Sequence, residues 1–285
     1  MKSRQDYEQE IIQLHHNIKE YDGTEVVARL KNRLRGQLHG WYDRLNITVF
    51  VANNEQTPWT SEELGMKTHP MLLKKDVGHD QVGDYQFLVD GPGRLSERFG
   101  GLLVERKGCT RRKDGTITAC DLHGTLMSDN RDRFYREIER FERDPRFEKM
   151  IIVAECTLEE FLDFLPDRPQ MCKFCQSYHK SSKEVGYCPT TETIVKLKGG
   201  KECQHYDEKP RTPAQIEGLR NSKRETINSL YVRSGVSVYF TGSREEAARV
   251  YSGLVKQWVI GNYDKVIVGL DLPKCEPSTM SEVLA

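Results

Sequence analysis

Two short strings constrain this chain more than anything else in it: Gly83-Asp84-Tyr85 and Val104-Glu105-Arg106-Lys107. Asp84 opens an apolar run from Tyr85 to Val89, and Glu105 and Lys107 stand at the end of a second, from Leu102 to Val104. Side chains on a strand alternate between its two faces, so Glu105 and Lys107 share one face and Arg106 takes the other. With the two runs as neighbouring strands, Asp84, Glu105 and Lys107 meet in one small site. Two carboxylates bind a hard cation such as Mg²⁺ or Mn²⁺, and an ammonium holds a water or a phosphate oxygen. That is equipment for metal-assisted hydrolysis of a phosphodiester. Charged residues at strand ends are also common on ordinary solvated surfaces, so the surrounding chain has to share the argument.

The 285 residues suit one large domain or two small ones. Apolar periodicity divides them. Tyr7, Ile11, Leu14 and Ile18 form a helical stripe, and a second helix is expected from about Glu25 to Leu38, with Leu30, Leu34 and Leu38 on one ridge. Residues 1–46 are therefore a helical extension. Arg29 and Arg33 lie beside that ridge, as a solvated face or a phosphate-contacting one. Ile47 to Val51 reads as a buried strand, and part of Ser61 to Leu73 as helix. Asp90 to Gly93 is a turn signal. After Lys107, Asp114-Gly115 centres a hairpin with Arg111, Arg112 and Lys113 expected on its tip, where they can grip a phosphate backbone. Cys109 and Cys120 flank that hairpin and pack against each other. A helix from about Asn130 to Arg143 and a strand from Lys149 to Ala154 follow. Thr157 with Glu160 forms a capping box. Past residue 212 come a helix from Pro213 to Tyr231 and a strand from Val236 to Phe240. Next is a helix opened by Ser243 and Glu246, with Ala247, Val250, Leu254 and Trp258 as its inward stripe or a pairing surface. Lys265 to Leu270 is read as a last strand, and residues 272–285 as a mobile tail. Strands and helices alternating in this way define an α/β protein.

Residues 166–212 break the pattern. They are polar and hold Cys172, Cys175, Cys188 and Cys203, with His205 two positions after the last and His179 between. Cys-x-x-Cys turns two thiolates onto one ion, and the expected ligands of a structural zinc are the four cysteines, with His205 or His179 as a replacement for one. The other reading is four unrelated thiols. The chain begins with a charged helix and not an apolar leader, and no apolar run is long enough to span a bilayer, so a soluble intracellular protein is expected, cytoplasmic or nucleoid-associated, in a cell or encoded by a virus. Lys plus Arg and Asp plus Glu both total 43. A nucleic-acid partner must then be met by local basic patches.

Residues 47–155 resemble the nuclease domain of the XPF-type structure-specific endonucleases, which include archaeal Hef. The family pattern is Gly-Asp, then Glu-Arg-Lys, then Asp. Here it reads Gly83-Asp84-Tyr85, Val104-Glu105-Arg106-Lys107 and Asp121-Leu122, followed by Gly124-Thr125-Leu126, Arg133 to Glu137 and Met150 to Glu155. The second block, Val236 to Phe240 with its capped helix, resembles the end of the same domain. The resemblance implies a restriction-endonuclease-like core of the PD-(D/E)XK class, a mixed central sheet flanked by helices. Residues 47–165 and 213–271 would be its two parts, and residues 166–212 an inserted zinc module. It further implies Asp84 and Glu105 as ligands of Mg²⁺ or Mn²⁺, Lys107 as the group that orients water, and Arg106 as a phosphate contact or support. Asp121 and Glu55 would complete the acidic cluster.

The sequence departs from the pattern in three places. Where the family's first strand ends in Val-Asp-x-Arg-Glu, this chain has Val51, Ala52, Asn53, Asn54 and Glu55. Residues 108–120 separate Lys107 from Asp121 where the family has three residues, a gap that a looped-out hairpin restores. The helix-hairpin-helix domain common after this core does not follow. The expectation is a DNA endonuclease acting at branches, flaps or junctions in repair or recombination, and family members often pair through this domain as dimers. The alternative is a catalytically inactive DNA-binding scaffold, favoured by Ala52 and Asn54. A sequence-specific enzyme on the same core is a third reading.

Overall fold

The computed structural model describes residues 2–52, 55–65, 72–74, 83–90, 97–127, 131–166, 175–176, 179–180, 185–188, 193–196 and 208–268. The chain opens with a helical hairpin, α1 (Arg4–Glu20) and α2 (Val26–Tyr42). Ser3 caps α1 in a reciprocal capping box with Asp6. Helix α2 runs four residues past the expected Leu38, straight through Gly40. A glycine in that position usually weakens a helix, but here the ring of Tyr7 lies where a Cβ would sit, 2.6 Å away, so close packing of the two helices requires it.

Next come β1 (Ile47–Val51), β2 (Leu72–Lys74), β3 (Tyr85–Asp90), β4 (Glu97–Phe99) and β5 (Leu102–Lys107). A small hairpin follows, β6 (Cys109–Arg111) and β7 (Ile117–Cys120), then α3 (Asp121–Met127), α4 (Arg131–Arg143), β8 (Lys149–Ala154) and α5 (Leu158–Asp163). Strands β9 (His179–Lys180), β10 (Val185–Cys188) and β11 (Thr193–Lys196) make a separate antiparallel sheet. The chain then forms α6 (Pro213–Ser234), β12 (Ser237–Phe240), α7 (Arg244–Gly261) and α8 (Tyr263–Val268).

The main sheet has the order β12-β8-β5-β3-β1-β2, with β4 also paired to β3. It is mixed: β12, β8 and β5 run parallel, β3 runs against both β5 and β1, and β2 is parallel to β1. Alternation along the strands divides the core in two. Val104, Ile151 and Val153 join Ile11, Trp41, Trp59, Tyr85, Tyr251 and Val255 on the face covered by α1, α2 and α7. Leu103, Met150, Ile152 and Ala154 join Leu122, Phe134, Ile138, Phe161 and Leu230 on the face covered by α3, α4, α5 and α6. The molecule is thus an α/β protein with a mixed sheet between two helical layers and a helical hairpin at its N-terminus.

Several expectations change. Of the strand expected from Lys265 to Leu270, residues 265–268 are helical, within α8, and residues 269–270 lie outside the described residues; Val266 and Ile267 are buried against α7 and the hairpin face. A short apolar run carries no period long enough to separate strand from helix. Residues 61–65 form turns and not helix, and Leu72–Lys74 is strand. Helix α3 was unexpected, since Gly124 and Thr125 depress its helical propensity. The Thr157–Glu160 capping box is present, whereas at α7 only Ser243 caps, accepting from the Glu246 N–H. The core face of α7 is Ala247, Ala248, Tyr251, Val255 and Val259; of the expected stripe Ala247 is core, while Val250, Leu254 and Trp258 are half-buried, the last two packed against that core. No helix among the described residues is long and apolar enough to cross a membrane.

Candidate functional site

Asp84 stands just before β3, and the Tyr85–Val104 register, continued by one residue, puts it opposite Glu105 on the α3–α4 face of the sheet. The position is built by Gly83. Its φ is +75°, and a Cβ there would meet the Leu103 side chain at 2.5 Å, so the chain can enter β3 in this way only with glycine. Backbone bonds lock the crossing: Asp84 N–H donates to Val104 O (3.0 Å), and Ala52 N–H donates to Asp84 O (2.9 Å). Asp84 Oδ2 accepts from the Arg106 N–H at 2.8 Å. Lys107 Nζ donates to Glu105 Oε2 at 2.9 Å.

The electrostatics follow from that crowding. Burial, and then the Glu105 charge, push the Asp84 carboxyl well above the usual carboxylate range, against the pull of Lys107. For Lys107, burial works against the ammonium, but Glu105 and Asp84 outweigh it and hold the pKa above the ordinary lysine value. Like charges directly across a strand pair destabilise the sheet, so this cluster is maintained at a cost.

Arg106 points the other way, and its guanidinium is held through Nε and Nη1. Nε donates to Glu155 (2.6 Å), and Nη1 donates to Glu55 (2.9 Å) and to the Thr57 carbonyl (2.9 Å). Trp59 closes over it, stacked on Tyr85 with ring centroids 4.4 Å apart, its indole N–H donating to Glu155 at 3.2 Å. Two roles were expected for Arg106, phosphate contact or support; these bonds suit support, and Arg106 also lines the cleft. It braces Glu55 and Glu155 at the strand ends.

These residues surround a cleft of about 690 Å³ at the C-terminal edge of β1, β5 and β8. Its lining includes Asp84, Arg106, Lys107, Glu55, Glu155 and Asp121. Crevices at the carboxyl ends of parallel strands are where α/β sheets offer room for ligands. Glu105 is 5% exposed and lies beneath Lys107. Asp121 reaches the cleft because the β6–β7 hairpin loops out: its N–H donates to Gly108 O at 3.1 Å, returning the chain beside Lys107. Gly108 matters here, since a Cβ would lie 3.3 Å from Asp121 and 3.5 Å from Glu155. Burial raises the Asp121 pKa, and Lys107 opposes the rise.

Two residues in the cleft went unnoticed in the sequence as site residues. Glu155 directly follows the apolar strand β8, and a charged residue closing a strand parallel to β5 was a readable signal. Glu137 lines the cleft from α4, one turn beyond Phe134. Nothing but helical spacing pointed to it.

The basic residues divide. Arg112 and Lys113 are exposed on the hairpin turn. Arg111 is not on the tip: it lies in β6, its guanidinium paired in two-pronged fashion with Glu160 and also donating to Gly242 O at 3.1 Å. That pairing pulls Glu160 down to about 2. Arg33 of α2 pairs with Glu10 of α1, and Arg29 is exposed, but α1 and α2 contribute no residue to the cleft lining.

Of the expected zinc ligands, Cys172, Cys203 and His205 lie outside the described residues, as does the side chain of His179. Cys175 and Cys188 are buried. A different group of thiols does converge. Cys109 and Cys120 are cross-strand partners in the hairpin, and Cys156 follows β8. Their sulfurs all lie within 4.8 Å of one another, close enough to share a metal ion such as zinc. Among the described residues this is the group of three or more potential ligands that meets such a limit; the carboxylates do not form one.

Fold and cleft together define an α/β protein with a charged crevice at the ends of its parallel strands. No family model and no curated protein matches this chain.

Proposed function

We propose that this protein is a metal-dependent DNA endonuclease of the XPF-like, PD-(D/E)XK kind, hydrolysing phosphodiesters at branched, flap or junction DNA. The observation that carries the reading is the cross-strand pair Asp84–Glu105 with Lys107 hydrogen-bonded to it, at the edge of an open cleft. A like-charged pair that weakens the sheet has no structural use, and binding a cation relieves it. The donor set fits Mg²⁺ or Mn²⁺, which are commonly held by one or two carboxylates with substrate oxygens and water completing the shell. When bound, the ion supplies Lewis acidity to a phosphoryl oxygen. Asp84 and Glu105 hold it. Lys107 fixes Glu105 and presents an ammonium that orients the attacking water and offsets charge on the phosphate. Arg106 keeps Glu55 and Glu155 in place behind the site. The exposed Arg112 and Lys113 contact the DNA backbone.

The test is cleavage of end-labelled flap, fork, linear duplex and single-stranded DNA with Mg²⁺ or Mn²⁺, wild type against Glu105→Gln. Metal-dependent cutting near a junction, lost in the variant, is the expected result. Ala52 favours the second reading, a non-catalytic DNA-binding scaffold. It is buried where the resembled family carries an acid, so the cleft has one carboxylate fewer. Tight DNA binding with no cutting by either protein would make that reading the better one.

A further inference from the structure

We propose that Cys109, Cys120 and Cys156 bind a zinc ion that clamps the β6–β7 hairpin to the end of β8, with a solvent molecule from the cleft as its fourth ligand. This site is built from cysteines other than those of residues 166–212, and it is distinct from the carboxylate pair.

The geometry comes first. Zinc–thiolate bonds of about 2.3 Å in a tetrahedron hold sulfurs about 3.8 Å apart. Three sulfurs mutually within 4.8 Å can close on one ion with small rotations of their side chains. The three residues come from three places, the two strands of the hairpin and the segment after β8, so one ion would tie together elements that are distant in sequence.

Number is the second argument. A disulfide across the hairpin needs two cysteines, and the third would have no part in it. Cys156 is fully buried and Cys120 nearly so, in the layer containing Leu103, Ile152 and Phe161. Three thiols crowded there satisfy one another only weakly, because S–H is a poor donor. As thiolates around zinc they have a strong common partner, and soft sulfur ligands select zinc over the hard cations suited to carboxylates. Two cations, Lys223 and Arg111, lie close enough to interact with the sulfurs, as does the Glu160 carboxylate.

The hairpin itself supplies the need. Strands β6 and β7 form a two-stranded sheet of their own, an arrangement that is marginal in water without support. Apart from Cys120 in the core and partial packing of Cys109 and Ile117, its tie to the body is Arg111 on Glu160 and neighbouring carbonyls. A clamp one residue before Asp121 would also hold that carboxylate beside Lys107. The fourth position follows from exposure. No fourth Cys, His, Asp or Glu among the described residues joins the group, and Cys109 and Cys120 line the cleft, so the open side of the ion faces solvent.

The test uses the full chain, purified without chelator, with bound zinc and free thiols measured together. Because residues 166–212 carry their own cysteines, Cys109→Ser and Cys156→Ser are compared with the double variant Cys172→Ser/Cys175→Ser. The expected result is that each single variant loses about one zinc per chain relative to wild type, as removal from a three-thiolate site predicts, while the double variant keeps that zinc. Cobalt substitution of the wild type gives a tetrahedral spectrum with thiolate charge transfer, reduced in Cys109→Ser and not abolished by the double variant. Should both single variants fail to fold, alkylation of the wild type decides. Chelator should then raise the reactivity of Cys109, the partly exposed member, by tenfold or so. Unchanged zinc in the single variants overturns the proposal. So does a Cys109–Cys120 disulfide in protein kept reduced, or alkylation of Cys109 indifferent to chelator.

Discussion

The last three residues of β5 face two different worlds. On the α3–α4 side, Glu105 and Lys107 share space with Asp84, and two acids stand against one base. On the α7 side, Arg106 lies between Glu55 and Glu155, sealed by Trp59 and held through Nε and Nη1. One face crowds two acids and holds a proton where it is not normally held. The other sets one guanidinium between two carboxylates. Adjacent residues on one strand thus divide into a group poised for a ligand and a group that fixes the frame around it. Alternation along the strand is what keeps the two apart.

The sharpest way to break this comparison is to exchange outcomes between the faces. Glu105→Gln preserves shape and removes one charge, and should lower the proposed nuclease activity by about a thousandfold or more, a loss of about 4 kcal/mol of transition-state stabilisation. Its thermal stability in metal-free buffer should fall as well, because the buried Lys107 ammonium loses its ion-pair partner. Asp84→Asn keeps the Lys107–Glu105 pair; it should lower activity similarly but raise Tm by a few degrees, since it removes the like charge opposite Glu105. Arg106→Met is the opposite case. It strands Glu55 and Glu155 with no cation between them and should cost about 3–5 kcal/mol, read by urea denaturation. If Asp84→Asn destabilises the protein as much as Arg106→Met does, the two faces are not different in kind.

Much of that division was legible in the sequence. Period-two alternation alone assigned Glu105 and Lys107 to one side and Arg106 to the other, and Asp84 could be aligned with them because it opens the neighbouring run. What the sequence withheld was distance along the chain. Glu155 reaches Arg106 across 49 positions, and Cys156 reaches Cys109 through the parallel pairing of β5 with β8. No local pattern reports such a pairing. The cysteines were judged by spacing, which favours the Cys172–Cys175 pair, whereas the hairpin register and the end of β8 bring three singly placed thiols together. Helix α8 and the turns at residues 61–65 were missed because short segments lack a period to read. Arg111 was misplaced by counting from the Asp114-Gly115 turn, when its bond to Glu160 keeps it in the strand.

Proton competition sharpens the comparison further. Burial and Glu105 keep the Asp84 proton on above the ordinary carboxylate range. A divalent cation must displace that proton, so its apparent affinity should climb as pH rises toward the folded pKa of Asp84 and level off beyond it. For one competing proton the climb is at most about tenfold per pH unit. The unfolded chain ionises Asp84 at the ordinary value. Stability in metal-free buffer is therefore greatest while Asp84 is protonated and declines as pH rises through its folded pKa. Added Mn²⁺ should restore what is lost. Calorimetric titration of Mn²⁺ at several pH values checks the sign: a flat or falling affinity would mean that Asp84 does not hold the ion.

The smallest effect expected lies on the hairpin, where the same contrast recurs among three consecutive cations. Arg111 is committed to Glu160 as Arg106 is to Glu155, while Arg112 and Lys113 are exposed. Arg112→Ala with Lys113→Ala should weaken binding of any DNA severalfold and reduce the salt slope of log K by about 1 to 2, the signature of lost phosphate contacts. Cleavage at saturating DNA should change little. Arg111→Ala should leave the salt slope alone and instead loosen the hairpin, read as faster hydrogen exchange between Thr110 and Ala119. A salt slope altered by Arg111→Ala and untouched by the double variant would reverse the assignment. The DNA-contacting cation would then be the one that the folded structure shows occupied, and a committed side chain would no longer separate frame from site.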